Sequence, residues 1–248
     1  MGLADLHVHT VFSDGTASLP AVLERAKKCG LDIVAITDHN TVAGALQALE
    51  LAPKYGIQVI PGVEISTADG HLLALSLQQT VPAGLPVLET VLRVGELGGF
   101  CIAPHPVAES MGIKSLGAYL VRQVLRDHDA ARILIGIETY NAQLFERTAN
   151  EAARILAERS NVAQTGSSDA HFVDAVGMGM TFFPGTTVDD LVAALRAGTT
   201  QVQRGQQWSP ARIAGTWLFR KLAFSLSTLF QGDGLKGGAA PVDEALPI

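Results

Sequence analysis

Close to its start the chain reads Asp5-Leu-His7-Val-His9-Thr-Val-Phe-Ser-Asp14-Gly15, with two imidazoles and a carboxylate inside eight residues. In an extended segment, side chains two apart lie on one side. His7 and His9 can therefore offer nitrogens to the same ion. An H-x-H pair alone fits a half-polar strand face as well as a metal site, so the rest of the chain has to decide. Six of the seven histidines stand in motifs at strand ends or tight turns, in the company of Asp14, Glu64 and Asp169. His128, in Arg126-Asp-His-Asp129, is the exception and reads as an exposed helix-end residue. Asp169 and His171 repeat the two-residue spacing. Imidazole mixed with carboxylate, and no thiolate, favours Zn, Mn or Fe over a structural cysteine-zinc site.

The elements that must carry these residues follow from the pattern. A helix runs from the Ser18 cap to about residue 29, with Pro20 in its first turn and Gly30 as its stop. Residues 32–36 form a short β-branched run suited to a buried parallel strand, ending in Thr37-Asp38-His39-Asn40. A second helix spans 41–55, and a third strand, 57–66, carries Glu64 near its end. Strand and helix alternate, and each strand finishes in a His or a carboxylate. That is the grammar of a β/α barrel with its site at the C-terminal face.

The next connection breaks the grammar. Only Thr67-Ala-Asp69-Gly70 precedes the run His71-Leu-Leu-Ala-Leu-Ser, too short for a helical crossover and suited to a tight turn. The barrel is expected to be distorted there. A simple three-residue turn over 68–70 would pair His71 with Thr67 and face it away from Glu64; a bulge would restore the geometry, and Glu138 is the first substitute. Further on, a helix over 86–97 leads to a strand at 100–103 that ends in Pro104-His105-Pro106, where two prolines stiffen the turn. Helix 115–126, strand 133–138, helix 142–159 and strand 162–166 lead to Ser167-Ser168-Asp169-Ala170-His171. In the last unit Thr187 caps a helix, Asp190 completes a capping box and Gly198 stops it.

Composition narrows the class. Of 248 residues 48% are hydrophobic and 17% charged, which suits a well-buried globular chain. The formal charge of −6 argues against an extended nucleic-acid surface, though a metal cluster can reverse the local field for an anionic small molecule. Cys29 and Cys101 fit no disulfide or C-x-x-C framework and read as core residues of a reducing compartment. With no signal-like N-terminus and no transmembrane run, the expectation is cytoplasmic. Residues 1–206 are expected to form the barrel. Residues 207–231 would be a helical extension whose apolar stretch, 213–230, packs on the barrel or on a second copy, and 232–248 a disordered tail.

Taken in order, H-x-H, S-D-G, T-D-H-N, G-V-E-I-S, G-H-L-L, P-H-P and S-D-A-H resemble the PHP family, named for polymerase and histidinol phosphatase. The resemblance covers about residues 3–203, and 166–202 also resembles the C-terminal part of the family's stand-alone metal-dependent phosphoesterases. It implies a distorted (β/α)7 barrel holding two to three divalent ions, Mn, Zn or Fe, on nine residues. By resemblance His7, His9, Glu64 and Asp169 hold the first, Glu64 bridges to a second with His71 and His105, and Asp14, His39 and His171 hold a third.

Three carboxylates, three divalent ions and one bridging hydroxide leave the site about +2, a setting for phosphate. The expected reaction is in-line attack on phosphorus by a metal-bound hydroxide held by Glu64, Asp169, His7 and His9. The expected substrate is a small phosphorylated metabolite, a nucleotide among the candidates. Lys114, Arg122, Asn141 and Arg147 lie where a barrel-top loop or early helix turn could reach it; Asn141 leads, because Glu-Thr-Tyr-Asn resembles a recurring family segment. Histidinol-phosphate phosphatase is the alternative within this class, although 32 residues between His105 and Glu138 leave little room for a capping domain. Exonuclease action on short oligonucleotides, a non-catalytic metal-stabilised interaction module and a metal-dependent amidohydrolase complete the field.

Overall fold

A computed structural model describes residues 1–108, 114–144 and 147–205, and beyond them 209, 211–212, 215–216, 218–219 and 222. Most of the apolar stretch 213–230 and the whole of 232–248 therefore lie outside the described residues. The strands are β1 (Gly2–Asp5), β2 (Ile33–Ile36), β3 (Gln58–Ser66), β4 (His71–Leu75), β5 (Phe100–Ala103), β6 (Leu134–Asn141), β7 (Ala163–Ser167), β8 (Gly179–Phe183) and β9 (Gln201–Arg204). The helices are α1 (Leu19–Lys28), α2 (Ala43–Tyr55), α3 (Val87–Glu96), α4 (Ala118–Arg126), α5 (Arg147–Ser160) and α6 (Val188–Ala197). Among the described residues no helix is long and apolar enough to cross a membrane.

One sheet contains all nine strands in the order β7-β6-β5-β4-β3-β2-β1-β8-β9. Pairing is parallel from β1 to β2, β2 to β3, β5 to β6 and β6 to β7. It is antiparallel on both sides of β4, so the distortion expected at the short connection is present. The sheet curls until its ends approach and a nearly closed barrel results. Thr181 on β8 stitches the seam, its hydroxyl donating to Gly166 O at 2.9 Å and accepting from Gly166 N at 3.1 Å. A Cβ on Gly166 would lie 2.6 Å from Met180 O, so this approach requires glycine. At the rim, His9 N donates to Ala170 O at 2.9 Å and Ala170 N to His7 O at 3.3 Å.

Alternation along the strands sorts the core. Ile33 and Ala35 of β2 face the barrel interior with Ala4, Leu6, Ile60, Leu73, Leu75, Phe100 and Ile102. Val34 and Ile36 face outward onto α1 and α2. The interior is plugged by Phe183 and by Leu191, Ala194 and Leu195 of α6. That helix starts from the anticipated capping box of Thr187 and Asp190 and ends at Gly198 in the left-handed conformation. Cys101 is fully buried and burial pushes its thiol pKa up, in keeping with a core role.

Several boundaries differ from the expected ones, α2 beginning at Ala43 rather than 41 and α4 at Ala118 rather than 115. Strand β6 runs on to Asn141 and α5 begins only at Arg147, because the backbone of Asn141 is occupied by the Asn150 side chain, which accepts from its N–H and donates to its carbonyl. Strand β8, not foreseen as a separate element, lies antiparallel to β1 and supplies the seam.

Phe183 is fully buried between the barrel and α6. Phe183→Ala is expected to lower the unfolding free energy by about 3–5 kcal/mol, read from urea denaturation followed by circular dichroism.

Candidate metal centre

The barrel topology brings the chemistry to one rim. His7 and His9 follow β1, His39 follows β2, Glu64 lies near the end of β3, His105 follows β5, and Asp169 and His171 follow β7. Strand β4 runs the other way, so its first residue, His71, reaches that same rim. Ser66 pairs with His71, which leaves a four-residue turn over Thr67–Gly70. The sequence reading weighed a three-residue turn, with His71 opposite Thr67, against a bulge. The register found puts His71 on the side of Glu64 with no bulge, because an even-numbered turn preserves the phase of the pleat.

Glu64 is the hub. Its Oε2 lies 3.1 Å from His7 Nε2, 3.1 Å from His9 Nε2 and 3.5 Å from His39 Nδ1. Its Oε1 lies 2.9 Å from His71 Nδ1 and 3.2 Å from His105 Nε2. Asp169 Oδ1 is 3.4 Å from His7 Nε2 and 3.3 Å from His9 Nε2. Asp14 stands on the outer side, 3.1 Å from His171 Nε2 and 3.7 Å from His9 Nδ1. Four overlapping groups have ligand atoms close enough for a shared ion: His7, His9 and Asp169; His7, Glu64 and His105; His39, Glu64 and His71; and His9, Asp14, His39 and His171. All nine residues expected to ligate are thus together. The grouping differs from the expected one: Glu64 is absent from the set of His7, His9 and Asp169, His7 joins Glu64 with His105, His39 joins Glu64 with His71, and His9 also joins the outer set.

The donor chemistry fits a cation. His7 Nδ1 faces Glu138 Oε1 at 3.1 Å. His105 Nδ1 faces Ser115 Oγ at 3.2 Å, while that hydroxyl donates to His105 O at 2.7 Å. His171 Nδ1 faces the Asp169 carbonyl at 2.9 Å. Each Nδ1 therefore carries the proton, and each Nε2 turns a lone pair toward a carboxylate oxygen. Lone pairs facing lone pairs in a buried site repel unless a positive charge sits among them.

With protons as the only counter-ions, the titrations reflect the same demand. Burial disfavours a charged His9, yet its bonds to Asp169 and Glu64 prevail and push its pKa up to about 10. Burial opposes charge on His7 too, but Asp169, Glu64 and Glu138 hold it well above the usual imidazole range. Glu64 and Asp169 are held well below the carboxylate range: burial works to raise them, and the histidines, His7 foremost, outweigh it. His39 goes the other way, pushed down to about 4 mainly by burial.

Besides Glu138, two buried carboxylates outside this set shape it. Asp38 Oδ1 accepts from Thr10 N and Ser13 Oγ, each at 2.7 Å, and its Oδ2 from Thr10 Oγ1 at 2.8 Å. It therefore anchors the loop that carries Asp14. Gly15 completes that loop, since a Cβ there would lie 2.6 Å from the His9 carbonyl. Asp5 accepts from Ser168 N at 3.0 Å and Gly177 N at 2.9 Å; burial pushes its pKa up to about 6. The sequence reading assigned neither carboxylate a role. Asp38 was visible only as the middle of T-D-H-N, and nothing in its spacing foretold its partners.

The residues expected to meet substrate fare differently. Asn141 is buried, its amide donating to Glu138 Oε2 at 2.9 Å and Asp169 Oδ2 at 3.0 Å, while its oxygen accepts from Gln143 N. These bonds direct Asn141 toward the carboxylates rather than outward. Lys114 is exposed, with its carbonyl accepting from His71 N at 2.7 Å, so its backbone belongs to the rim. Arg122 is exposed on α4. The Arg147 side chain lies outside what the structure describes.

A family model described as PHP domain matches residues 5–166, and one described as PHP-associated matches 147–200. An uncharacterized protein of Methanocaldococcus jannaschii is 35% identical over 150 residues, 56% of this chain and 81% of that one. Phosphoribosyl 1,2-cyclic phosphate 1,2-diphosphodiesterase of Eggerthella lenta is 45% identical over 49 residues, 20% of this chain and 19% of that one. Among solved structures, a two-domain protein of Bacteroides vulgatus containing a predicted PHP-like metal-dependent phosphoesterase superposes with a TM-score of 0.68 at 21% identity, covering 90% of this chain and 69% of the other. That likeness is one of fold.

Two outcomes follow from the cluster. At pH 7 the proton on His9 must leave before a divalent ion enters, so affinity should rise about tenfold per pH unit for each proton displaced, as read by chelator competition between pH 6.5 and 8.5. Asp38→Ala strands the Thr10 and Ser13 donors and frees the Asp14 loop. It is expected to cost roughly 3 kcal/mol and to lower the metal content per chain, measured by plasma emission spectrometry.

Proposed function

Because the chain belongs to the PHP family, we propose that it hydrolyses the phosphoester of a small phosphorylated metabolite, with divalent ions held by His7, His9, Asp14, His39, Glu64, His71, His105, Asp169 and His171. The observation that carries this reading is the convergence of imidazole and carboxylate lone pairs on Glu64 and Asp169, an arrangement that requires cations and contains no thiolate. Ions bound there would lower the pKa of coordinated water from about 15.7 toward about 7 and polarise a phosphoryl oxygen.

The chain's own groups do the rest. Glu138, Ser115 and the Asp169 carbonyl hold protons on Nδ1 of His7, His105 and His171, so that Nε2 of each stays available. The inner side chains exclude water: His7, His9, Glu64 and His105 are at most 3% exposed. The outer ones face solvent, with the Asp14 side chain 42% and that of His39 25% exposed. Substrate therefore approaches across Asp14, His39, His71 and His171, and the reacting phosphate meets the buried set behind them. Backbone at the rim is held in left-handed conformations at His105 and Asp169, a strain of about 1–3 kcal/mol each that the surrounding hydrogen bonds maintain. Lys114 is exposed and its backbone is tied to His71 at the rim, which keeps it a candidate to meet the anion.

A diester is the second reading, favoured by the 45% identity over 49 residues to an enzyme named for a cyclic phosphodiester. Histidinol phosphate belongs on the same panel as a monoester.

The experiment measures phosphate or nitrophenol release from p-nitrophenyl phosphate, bis-p-nitrophenyl phosphate, nucleotides and histidinol phosphate, with Mn, Zn and Fe supplied separately. Turnover with at least one ester is expected, falling at least 1,000-fold (about 4 kcal/mol) in His9→Ala. A metal-induced rise in melting temperature with no ester cleaved would favour the non-catalytic module instead.

A further inference from the structure

We propose that Glu138 and Asn141 are positioning residues, a buried bracket that presets the His7 imidazole and the Asp169 carboxylate for the ions they would hold. The proposal rests on the metal-centre reading above and concerns residues behind the ligands.

The bracket is built by a fault in β6. Residues three apart on a regular strand point to opposite faces. Between Glu138 and Tyr140 the pairing of β6 with β7 shifts register, and Glu138 and Asn141 end on the same side, with Asn141 Nδ2 2.9 Å from Glu138 Oε2. Register faults beside a site commonly re-aim a side chain.

Every atom of the bracket is engaged. Glu138 is fully buried, with Oε1 accepting from His7 Nδ1 at 3.1 Å and Oε2 from His105 N at 2.6 Å as well as from Asn141. The bond from His105 N secures the strained turn between two prolines. Asn141 reaches past Glu138 to Asp169 Oδ2 at 3.0 Å, which leaves Oδ1 turned to His7 and His9. Its own position is set by Asn150 on α5 and by Gln143 N. Glu138 thus stands behind His7 rather than beside the other ligands, and an acceptor there dictates the tautomer that a metal-ligating histidine needs.

Glu138→Gln supplies the test, because an amide of the same size offers an acceptor to His7 Nδ1 or to His105 N but not to both. Zinc affinity is measured by chelator competition on the wild type, Glu138→Gln and Asn141→Ala, and the His7 Nδ1–H resonance is followed by proton–nitrogen NMR of the zinc-loaded proteins. Glu138→Gln is expected to bind zinc about 10- to 100-fold more weakly, with the His7 resonance shifted or lost. Asn141→Ala is expected to weaken binding while that resonance stays, since it acts through Asp169. Wild-type affinity in both variants, or a fall in melting temperature with affinity unchanged, would overturn the bracket. A wild type that binds no zinc would overturn the metal centre itself. If Glu138→Gln does not fold, the affinity of Asn141→Ala decides alone.

Discussion

Glu64 is a carboxylate with almost no contact with solvent and five imidazoles within 3.5 Å. A buried charge costs several kcal/mol unless it is compensated, and here compensation is arranged from every side. Protons can meet the demand, which is why His7 and His9 are held basic and Glu64 acidic. Divalent cations meet it better, because each neutralises carboxylate charge while accepting the imidazole lone pairs that already point inward.

The barrel exists, in functional terms, to keep that convergence. Parallel strands deliver their C-terminal ends to one rim, so short loops after β1, β2, β5 and β7 suffice to bring in His7, His9, His39, His105, Asp169 and His171. The antiparallel β4 contributes by its beginning instead of its end. Rim bonds between His9, Ala170 and His7 join the first and last of these loops, and Thr181 closes the seam below them. Interior packing of Phe183 and α6 fills the barrel at the far side, so the polar rim stands on an apolar plug.

Behind the converging side chains lies a layer of hydrogen bonds that removes their freedom. Ser115 holds the far nitrogen of His105, the Asp169 carbonyl holds that of His171, and Glu138 holds that of His7. Asp38 anchors the loop bearing Asp14, and Asp5 anchors Ser168 beside Asp169. The layer is lopsided: the inner side chains of the cluster are buried and rigidly bonded, while Asp14 and His39 face solvent. The solvent-facing side is therefore the less constrained one.

The residues that converge around Glu64 and Asp169 were legible in the sequence because their spacing carries geometry. H-x-H shares a face by the period of an extended chain, whereas Asp169 is left-handed and D-x-H reaches the cluster by its place just after a strand; strand-ending polar residues share a rim by the direction of parallel strands. Helix boundaries were legible too, through Gly30, Thr187 and Gly198, whose side chain or backbone freedom acts locally, while Ser18 marks the start of α1 without a side-chain cap bond. What only the tertiary structure decided depends on partners far away in the chain. Whether His71 faces Glu64 turned on a one-residue difference in pairing register. Whether Asn141 faces outward or toward Asp169 turned on a register shift in β6 and on Asn150. Asp5 and Asp38 took their roles from backbone and hydroxyl groups up to 172 residues distant, and long-range hydrogen bonds leave no periodicity to read.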